Sequence, residues 1–194
     1  MVVVIKYNAG NIHSVVHALR RIGVEPVVTD DKELIRSADK VIFPGVGEAE
    51  TTMNYLKERG LDTLIKSLTQ PVLGICLGMQ LMCKHSEEGD VDCLGIFDLP
   101  VKKFIPRNRE KIPHMGWNQV ENLKSDLMKG VTEGNHAYFV HSYYVPLCKE
   151  AIATTNYIEE FASALNKDNF YATQFHPEKS GDVGTKILEN FINL

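Results

Sequence analysis

The sequence predicts an α/β fold in which a mostly parallel central sheet is flanked by helices and the second half is rich in strands. Continuous apolar runs alternate with amphipathic segments in the first half, a pattern typical of strands buried on both faces of a parallel sheet. From about residue 93 the strand-like runs become shorter and are separated by turns, which favours antiparallel pairing. The sequence contains no repeat or linker, so we expect one domain over residues 1–194.

The first strand is predicted at residues 2–5, VVVI, because its apolar run is continuous. The first helix is predicted at 11–23, with Asn11 as its N-cap and Gly23 as its end. The alternation continues with strands at 24–29, 40–45 and 71–75 and helices at 30–38 and 48–60. Such βαβ alternation indicates a parallel sheet with helices on both faces.

The second half is predicted to contain shorter strands and one closing helix. The strand-like runs lie at 93–104, 118–123, 137–145, 151–157, 161–166 and 169–176, and the helix at 182–194.

The composition excludes several classes of function. Hydrophobic residues at 44% and charged residues at 24% are ordinary for a soluble globular protein. A net charge of -4 supplies no general attraction for nucleic acid or an anionic membrane. The basic run RNREK at 107–111 is short, so a solvated loop and a patch for a protein partner remain its two interpretations.

Cysteine usage and the N-terminus bear on the compartment. The four cysteines form no CxxC pair, which argues against a zinc site or a disulfide framework and fits a reducing environment. The apolar run near residue 1 is too short for a signal sequence, and no run has the length of a membrane span. We therefore expect a soluble, cytoplasmic protein.

The stretch GICLG at 74–78 has the spacing of a nucleophile elbow, with Cys76 in the nucleophile position. A sharp strand-to-helix turn strains the backbone, and the small Gly74 and Gly78 leave room for it. The turn would place the sulfur at a helix N-terminus that favours thiolate, and the Leu77 amide could donate to an oxyanion. A buried cysteine in a close-packed turn explains the same residues, so the elbow spacing leaves both interpretations open.

His176 is the histidine best placed to act as a base for this cysteine. It ends the run YATQF and is followed by Pro177 and Glu178. Residues i and i+2 of an extended segment face the same way, so His176 and Glu178 are predicted to point toward one site. A strand end with a surface carboxylate is the alternative for these residues alone. Combined with the elbow, they favour a nucleophile, a base and an orienting group.

The segment PGVG at 44–47 follows the third predicted strand, at the sheet edge where open α/β sheets bind ligands. Two glycines allow backbone amides to turn inward as a second source of oxyanion donors. A plain turn is the alternative.

PGVG, GICLGMQ and QFHPEKS, in this order, resemble the class I glutamine amidotransferases, which use a Cys-His-Glu triad, over nearly the whole chain. Two further stretches, PHMGWNQV at 113–120 and YFVHSYY at 138–144, resemble the glutaminase subunits of imidazole glycerol phosphate synthase from histidine biosynthesis. The resemblance implies hydrolysis of glutamine to glutamate and ammonia through a cysteine thioester. Cys76 is implied as the nucleophile, His176 as the proton carrier and Glu178 as the group that orients it.

The resemblance also implies an oxyanion hole and a glutamine pocket, with no metal or other cofactor. The hole would be formed by the backbone of Leu77 and of Val46 or Gly47. The pocket residues would be Gln80, Glu88 and the backbone around Ser142 and Tyr143. Without the resemblance, Gln80 and Glu88 are equally explained as polar positions on a helix surface.

The implied partner is the cyclase of the synthase, whose (β/α)₈ barrel receives the ammonia away from bulk water. There it would react with an aminoimidazole-carboxamide ribulotide, giving imidazole glycerol phosphate and an aminoimidazole-carboxamide ribotide. Met115 and Trp117 are predicted at or near this interface; a core tryptophan is the alternative. The family further implies weak glutaminase activity until the cyclase and its ligand reset the oxyanion loop.

One departure from the family pattern lies in the first loop. Many members carry Asp-Tyr-Gly there, whereas this chain has KYNAGN, with Lys6 and Asn8 in place of Asp and Gly. The triad is untouched, so the departure bears on how the loop conveys a signal from the partner.

Three alternatives compete with this interpretation. A glutaminase subunit of another amidotransferase, such as anthranilate synthase, is disfavoured by PHMGWN. A free-standing cysteine hydrolase with a nucleophile elbow is disfavoured by QFHPE late in the chain. A non-catalytic binding module is disfavoured because Cys76, His176 and Glu178 are all present.

Overall fold

The computed structural model describes residues 1–7 and 11–194. The strands of the first half are β1 (Val2–Ile5), β2 (Val27–Thr29), β3 (Lys40–Phe43) and β4 (Val72–Ile75). Its helices are α1 (Ile12–Arg21), α2 (Lys32–Arg36), α3 (Ala49–Glu58), α4 (Leu61–Ser67) and α5 (Leu77–Met82).

The second half is built mainly from strands. They are β5 (His85–Ser86), β6 (Val91–Asp92), β7 (Pro100–Lys103), β8 (His114–Gln119), β9 (His136–His141), β10 (Tyr143–Pro146), β11 (Ala151–Tyr157), β12 (Glu159–Lys167) and β13 (Phe170–Thr173). The chain closes with α6 (Gly181–Ile192), and short 3₁₀ turns lie at Asp126–Met128 and Pro177–Lys179.

In the described part of the chain, eleven strands form one sheet in the order β2-β1-β3-β4-β13-β12-β10-β7-β5-β6, with β11 beside β12. The strands from β2 to β13 run parallel, and β12 pairs antiparallel with β13, β11 and β10. Strands β8 and β9 form a separate antiparallel hairpin. The predicted α/β class, with its parallel first half and β-rich second half, is confirmed.

Alternation along the parallel strands divides the core into two layers. Val3 and Val41 face a layer filled by apolar side chains of α2, α3, α4 and α5. Val4 and Ile42 face the opposite layer, filled by α1 and α6. Burial on both faces explains why these strands have continuous apolar runs.

Several predicted elements differ in their bounds, and one helix was not predicted. Strand β2 begins at Val27 rather than at residue 24, consistent with the missing backbone N–H of Pro26, which cannot join a ladder. The strand predicted at 118–123 lies earlier, at His114–Gln119, because it pairs in full with β9. Helix α4 was not predicted, although apolar residues at 61, 64, 65 and 68 have helical spacing.

Asn11 is the N-cap residue of α1, as predicted, but it does not cap the helix through its side chain. Asn11 occupies the N-cap position of α1 with φ 74°, but its side chain makes no capping hydrogen bond within the described residues. The side-chain amide of Asn11 instead donates a hydrogen bond to Glu178, as described below.

Helix α6 packs against the 3₁₀ turn at Pro177–Lys179 at very short range. A Cβ on Gly184 would lie 1.8 Å from the carbonyl oxygen of Pro177, so only glycine fits there. This contact fixes the turn that carries Glu178. None of the helices in the described residues is long and apolar enough to cross a membrane.

Candidate active site

Cys76 lies on a sharp turn between β4 and α5. Its backbone has φ 52° and ψ −107°, values that an L-residue rarely adopts and that store strain. The turn is anchored by a 2.7 Å hydrogen bond from the Cys76 amide to the carbonyl of Thr173 on β13. The side chain is almost buried, at 7% exposure, and it lines a cleft at the sheet edge.

Glycines surround this turn because the backbones of β3, β4 and α5 approach too closely for side chains. A Cβ on Gly78 would lie 2.1 Å from the Phe43 carbonyl oxygen, and one on Gly45 would lie 2.6 Å from the Gly78 nitrogen. A Cβ on Gly74 would lie 2.9 Å from the sulfur of Met82. The spacing that identified the elbow therefore has the predicted steric cause.

His176 and Glu178 are in contact and buried beside the elbow. The His176 Nδ1 to Glu178 Oε1 distance is 2.8 Å. Strand β13 carries His176 there because it pairs in parallel with β4, with Thr173 opposite Ile75. The expectation of an extended segment is wrong, because the 3₁₀ turn at Pro177–Lys179 folds Glu178 back onto the ring.

The hydrogen bond to Glu178 fixes the tautomer of His176. A carboxylate oxygen accepts, so Nδ1 carries a hydrogen and Nε2 is left for the thiol. Nε2 has no partner of regular hydrogen-bond geometry within residues 1–7 and 11–194. Burial lowers the pKa of His176, but interactions with Cys76 and Glu178 outweigh it and raise the pKa to about 10. The His176 ring therefore holds a proton beside the Cys76 sulfur.

Asn11, predicted only as an N-cap, is a further member of this group. Its Nδ2 donates to Glu178 Oε1 at 2.5 Å, so one carboxylate oxygen accepts from both Asn11 and His176. The two residues are 167 positions apart, and no local pattern indicates the contact.

A cleft of about 330 Å³ opens at Cys76, a volume within the range of small-molecule sites. It contains all seven residues predicted for the oxyanion hole and the glutamine pocket. The lining residues are Val46, Gly47, Cys76, Leu77, Gln80, Glu88, Pro113, Val140, His141, Ser142 and Tyr143.

Gln80 and Glu88 are each held in the cleft by specific contacts. Gln80 Nε2 donates to the Tyr143 carbonyl and to Gln174 Oε1, each at 3.0 Å. Glu88 Oε2 accepts from the Ala49 amide at 3.0 Å, at the start of α3. Burial raises the pKa of Glu88, although the Ala49 amide acts in the opposite direction. Both residues are therefore tied to the fold rather than free on a surface.

One of the predicted oxyanion donors is engaged within the protein in this conformation. The Leu77 amide donates to the Gly45 carbonyl at 3.3 Å and is therefore not available to an oxyanion in this conformation. Pro44, which precedes Gly45, is fixed by Tyr7, because the buried Tyr7 hydroxyl donates to the Pro44 carbonyl. Gly47 has φ 132°, so the segment 44–47 contains a backbone conformation that favours glycine.

The β8–β9 hairpin places Met115 and Trp117 on the surface, 63% and 57% exposed. The alternative of a core tryptophan is therefore wrong. The Trp117 ring packs edge-on against Tyr138 at 5.9 Å, and Lys179 Nζ lies 5.9 Å from the Tyr138 ring centre. This exposed apolar surface thus adjoins the turn that carries Glu178.

The first loop is only partly described. Lys6 is exposed, and its amide donates to the Thr29 carbonyl; Asn8 lies outside the described residues.

Gln174, which donates to the Cys76 sulfur at 3.7 Å, was missed as a site residue although it opens the QFHPEKS stretch. Within the described ranges, no group of three or more His, Cys, Asp or Glu side chains is arranged to hold a metal ion.

The family described as glutamine amidotransferase class-I matches residues 3–194. The chain is 68% identical to imidazole glycerol phosphate synthase subunit HisH of Bacteroides fragilis and 65% identical to that of Bacteroides thetaiotaomicron. Each match covers 100% of this chain and 99% of the relative. A solved structure of a glutamine amidotransferase from Thermotoga maritima shares the fold, with a TM-score of 0.66 at 18% identity, over 99% of this chain and 82% of that one.

Proposed function

Because the chain belongs to the class I glutamine amidotransferases, we propose that it is the glutaminase subunit of an imidazole glycerol phosphate synthase. It hydrolyses glutamine to glutamate and ammonia for histidine biosynthesis, as the relatives at 65% and 68% identity over the full chain support. The observation that carries the chemistry is the cysteine on a strained elbow beside a buried His176–Glu178 pair.

His176 takes the thiol proton of Cys76, whose Sγ attacks the side-chain carboxamide carbon of glutamine and forms a tetrahedral intermediate. His176, oriented by Glu178, donates a proton to the departing ammonia, and the carbon–nitrogen bond breaks to leave a thioester. The raised pKa of His176 keeps this proton on the ring at neutral pH. A water molecule deprotonated by His176 then attacks the thioester and releases glutamate.

The glutamine is held in the cleft by groups of complementary charge and hydrogen-bonding capacity. The Glu88 carboxylate suits the α-ammonium group, and the backbone around Ser142 and Tyr143 receives the α-carboxylate. Gln80 donates both of its amide hydrogens to the protein, so its Oε1 is left to accept from the substrate.

The conformation of segment 44–47 supports a resting state of low activity. The Leu77 amide must leave the Gly45 carbonyl before it can stabilise the tetrahedral intermediate. Loss of one oxyanion donor costs roughly 10²–10³ in rate. We infer that the partner protein, with its ligand, rearranges this segment.

The partner is the (β/α)₈-barrel cyclase of the synthase, bound over the surface that exposes Met115 and Trp117. Large exposed apolar side chains beside a catalytic turn are the kind of anchor that interfaces use. Ammonia formed at Cys76 is released close to this surface and enters the barrel there.

The test is glutamate release from glutamine by the purified chain, alone and with the cyclase plus its ligand. We expect slow release by the chain alone, strong stimulation by the complex, and loss of activity in Cys76→Ala and His176→Asn. Stimulation by the barrel of another amidotransferase instead would identify a different partner. Glutamate release that survives Cys76→Ala would show that the nucleophile is wrong.

A further inference from the structure

A buried row of polar side chains runs from the β8–β9 hairpin into the cleft. His114 opens β8 and His141 closes β9, directly opposite each other in the hairpin register. Both are buried, at 4% and 5% exposure, although neither belongs to the triad. Their rings are joined by a 2.9 Å contact between His114 Nδ1 and His141 Nε2.

The ends of this row are a side-chain amide and a backbone carbonyl. His114 Nε2 lies 3.1 Å from Asn118 Nδ2, and His141 Nδ1 lies 2.7 Å from the Tyr143 carbonyl oxygen. The same carbonyl accepts from Gln80 Nε2 at 3.0 Å.

The direction of every hydrogen bond follows from the acceptor at one end. A carbonyl only accepts, so His141 Nδ1 carries a hydrogen, and the neutral ring then accepts at Nε2. His114 must therefore donate from Nδ1 and accept at Nε2 from the Asn118 amide.

Asn118 cannot be turned around to reverse this order. Its Nδ2 also donates to the Asn156 carbonyl at 3.0 Å, and its Oδ1 accepts from the Gln119 amide at 2.8 Å. A flipped amide would place oxygen against two acceptors. Burial lowers the pKa of His114 to about 4 and, as the largest cause, that of His141 to about 3, so both rings are neutral as the order requires.

We propose that Asn118, His114 and His141 form a positioning chain that fixes the Tyr143 carbonyl and, through it, the Gln80 amide in the glutamine pocket. This inference rests on the proposed function. With one amide hydrogen held by the Tyr143 carbonyl and the other by Gln174, the Gln80 side chain is held in one orientation, with its Oε1 left as the acceptor for glutamine. None of its three members is hydrogen-bonded to Cys76 Sγ or His176 Nε2, so we expect the chain to act on substrate binding.

The experiment compares variants of His141 and His114 in the complex with the cyclase and its ligand. His141→Phe keeps the aromatic packing with Phe104 and Phe161 but removes both hydrogen bonds. We expect the KM for glutamine to rise about tenfold, the effect of one lost buried hydrogen bond, and kcat to change less than about twofold. The His114 ring packs between Phe139 and Tyr157, and a phenylalanine keeps this packing. His114→Phe should raise KM by a smaller factor than His141→Phe does.

The conservative variant His141→Asn separates positioning from general damage. An asparagine amide placed near the Nδ1 position can still donate to the Tyr143 carbonyl, so it should recover most of the KM. His136→Phe, at the exposed opposite end of β9, should leave both constants unchanged. Alkylation of Cys76 by iodoacetamide, which needs no glutamine pocket, should proceed at the parent rate in every variant.

An unchanged KM in a folded His141→Phe complex would overturn the positioning chain, as would an asparagine variant no better than phenylalanine. Alkylation of Cys76 that changes together with KM would also overturn it, because the effect would then extend to the elbow. A parent complex that releases no glutamate contradicts the proposed function instead, so the two failures are distinguishable.

Discussion

At the scale of single residues, Gly78 shows how a missing side-chain atom shapes the site. Gly78→Ala places a Cβ 2.1 Å from the Phe43 carbonyl oxygen, so β3 and α5 must separate. We expect the free energy of unfolding to fall by about 3 kcal/mol and the glutaminase activity of the complex to fall with it. Urea denaturation and steady-state kinetics measure the two effects.

Gly95→Ala is the matched control. Gly95 has φ 70° but open space around its Cβ position, so only the backbone cost of about 1 kcal/mol applies. Equal destabilisation by the two alanines would contradict the steric account of the elbow.

Asn11 and Asp31 are the N-cap residues of α1 and α2, but we predict different effects when each is replaced by alanine. Asp31 accepts from the amides of Glu33 and Leu34, so Asp31→Ala should cost about 1 kcal/mol of stability and leave activity unchanged. Asn11 binds Glu178 instead, so Asn11→Ala should lower kcat about tenfold with little change in stability. Unfolding curves that show the larger loss in Asn11→Ala, with normal kcat, would contradict this assignment.

What the sequence predicts at this scale depends on whether a pattern is local. The elbow and the HPE turn each lie within a few residues, so Cys76, His176 and Glu178 are predictable. The contact of Asn11 with Glu178 joins residues 167 positions apart and requires the fold. The Leu77 amide was predictable as a donor, but its engagement by Gly45 depends on the conformation of another loop.

At the scale of elements, the β8–β9 hairpin has a pH-dependent stability. The pKa values of His114 and His141, about 4 and about 3, lie below the ordinary value of 6.5. As pH falls below 6.5, the unfolded chain binds protons that the folded chain does not, so stability falls. Each histidine contributes a slope of about 1.4 kcal/mol per pH unit until its folded pKa is reached.

His114→Phe removes the contribution of one of the two histidines to the pH dependence of the unfolding free energy. We expect the loss of unfolding free energy between about pH 6.5 and about pH 4.5 to be smaller in this variant by roughly 2 kcal/mol. Urea denaturation across this range tests it, with the exposed His136→Phe as the control. A parallel pH profile in His114→Phe and the parent would contradict the low folded pKa.

Element prediction succeeded where burial imposes a simple period and failed where long-range pairing decides. Strands β1, β3 and β4 have continuous apolar runs and were found within two residues. Helix α4 was not predicted because a glycine such as Gly60 indicates the end of a helix. In the structure Gly60, with φ 61°, links α3 directly to α4. The bounds of β8 depend on its partner β9, which no local pattern specifies.

At the scale of the whole molecule, the exposed face of the hairpin should control assembly. Trp117→Glu introduces a charge into the proposed interface, and we expect the dissociation constant for the cyclase to rise at least about 30-fold. The unfolding free energy should be nearly unchanged because the side chain is 57% exposed. Isothermal titration calorimetry and thermal unfolding provide the two measurements.

Leu147→Glu is the control for a charge on an exposed apolar residue. Leu147 is 51% exposed and follows β10 at the end opposite the cleft, since β10 starts at Tyr143. An equal rise of the dissociation constant in Trp117→Glu and Leu147→Glu would contradict an interface centred on Trp117.

The position of β13 has a consequence for synthesis on the ribosome. The last strand of the chain is inserted between β4 and β12, so a nascent chain that ends before residue 170 has two open strand edges at the centre of its sheet. The same chain already carries Cys76 but not His176. Nucleophile and base therefore meet only after translation has passed residue 176, and a polypeptide that ends earlier lacks the base for ammonia release.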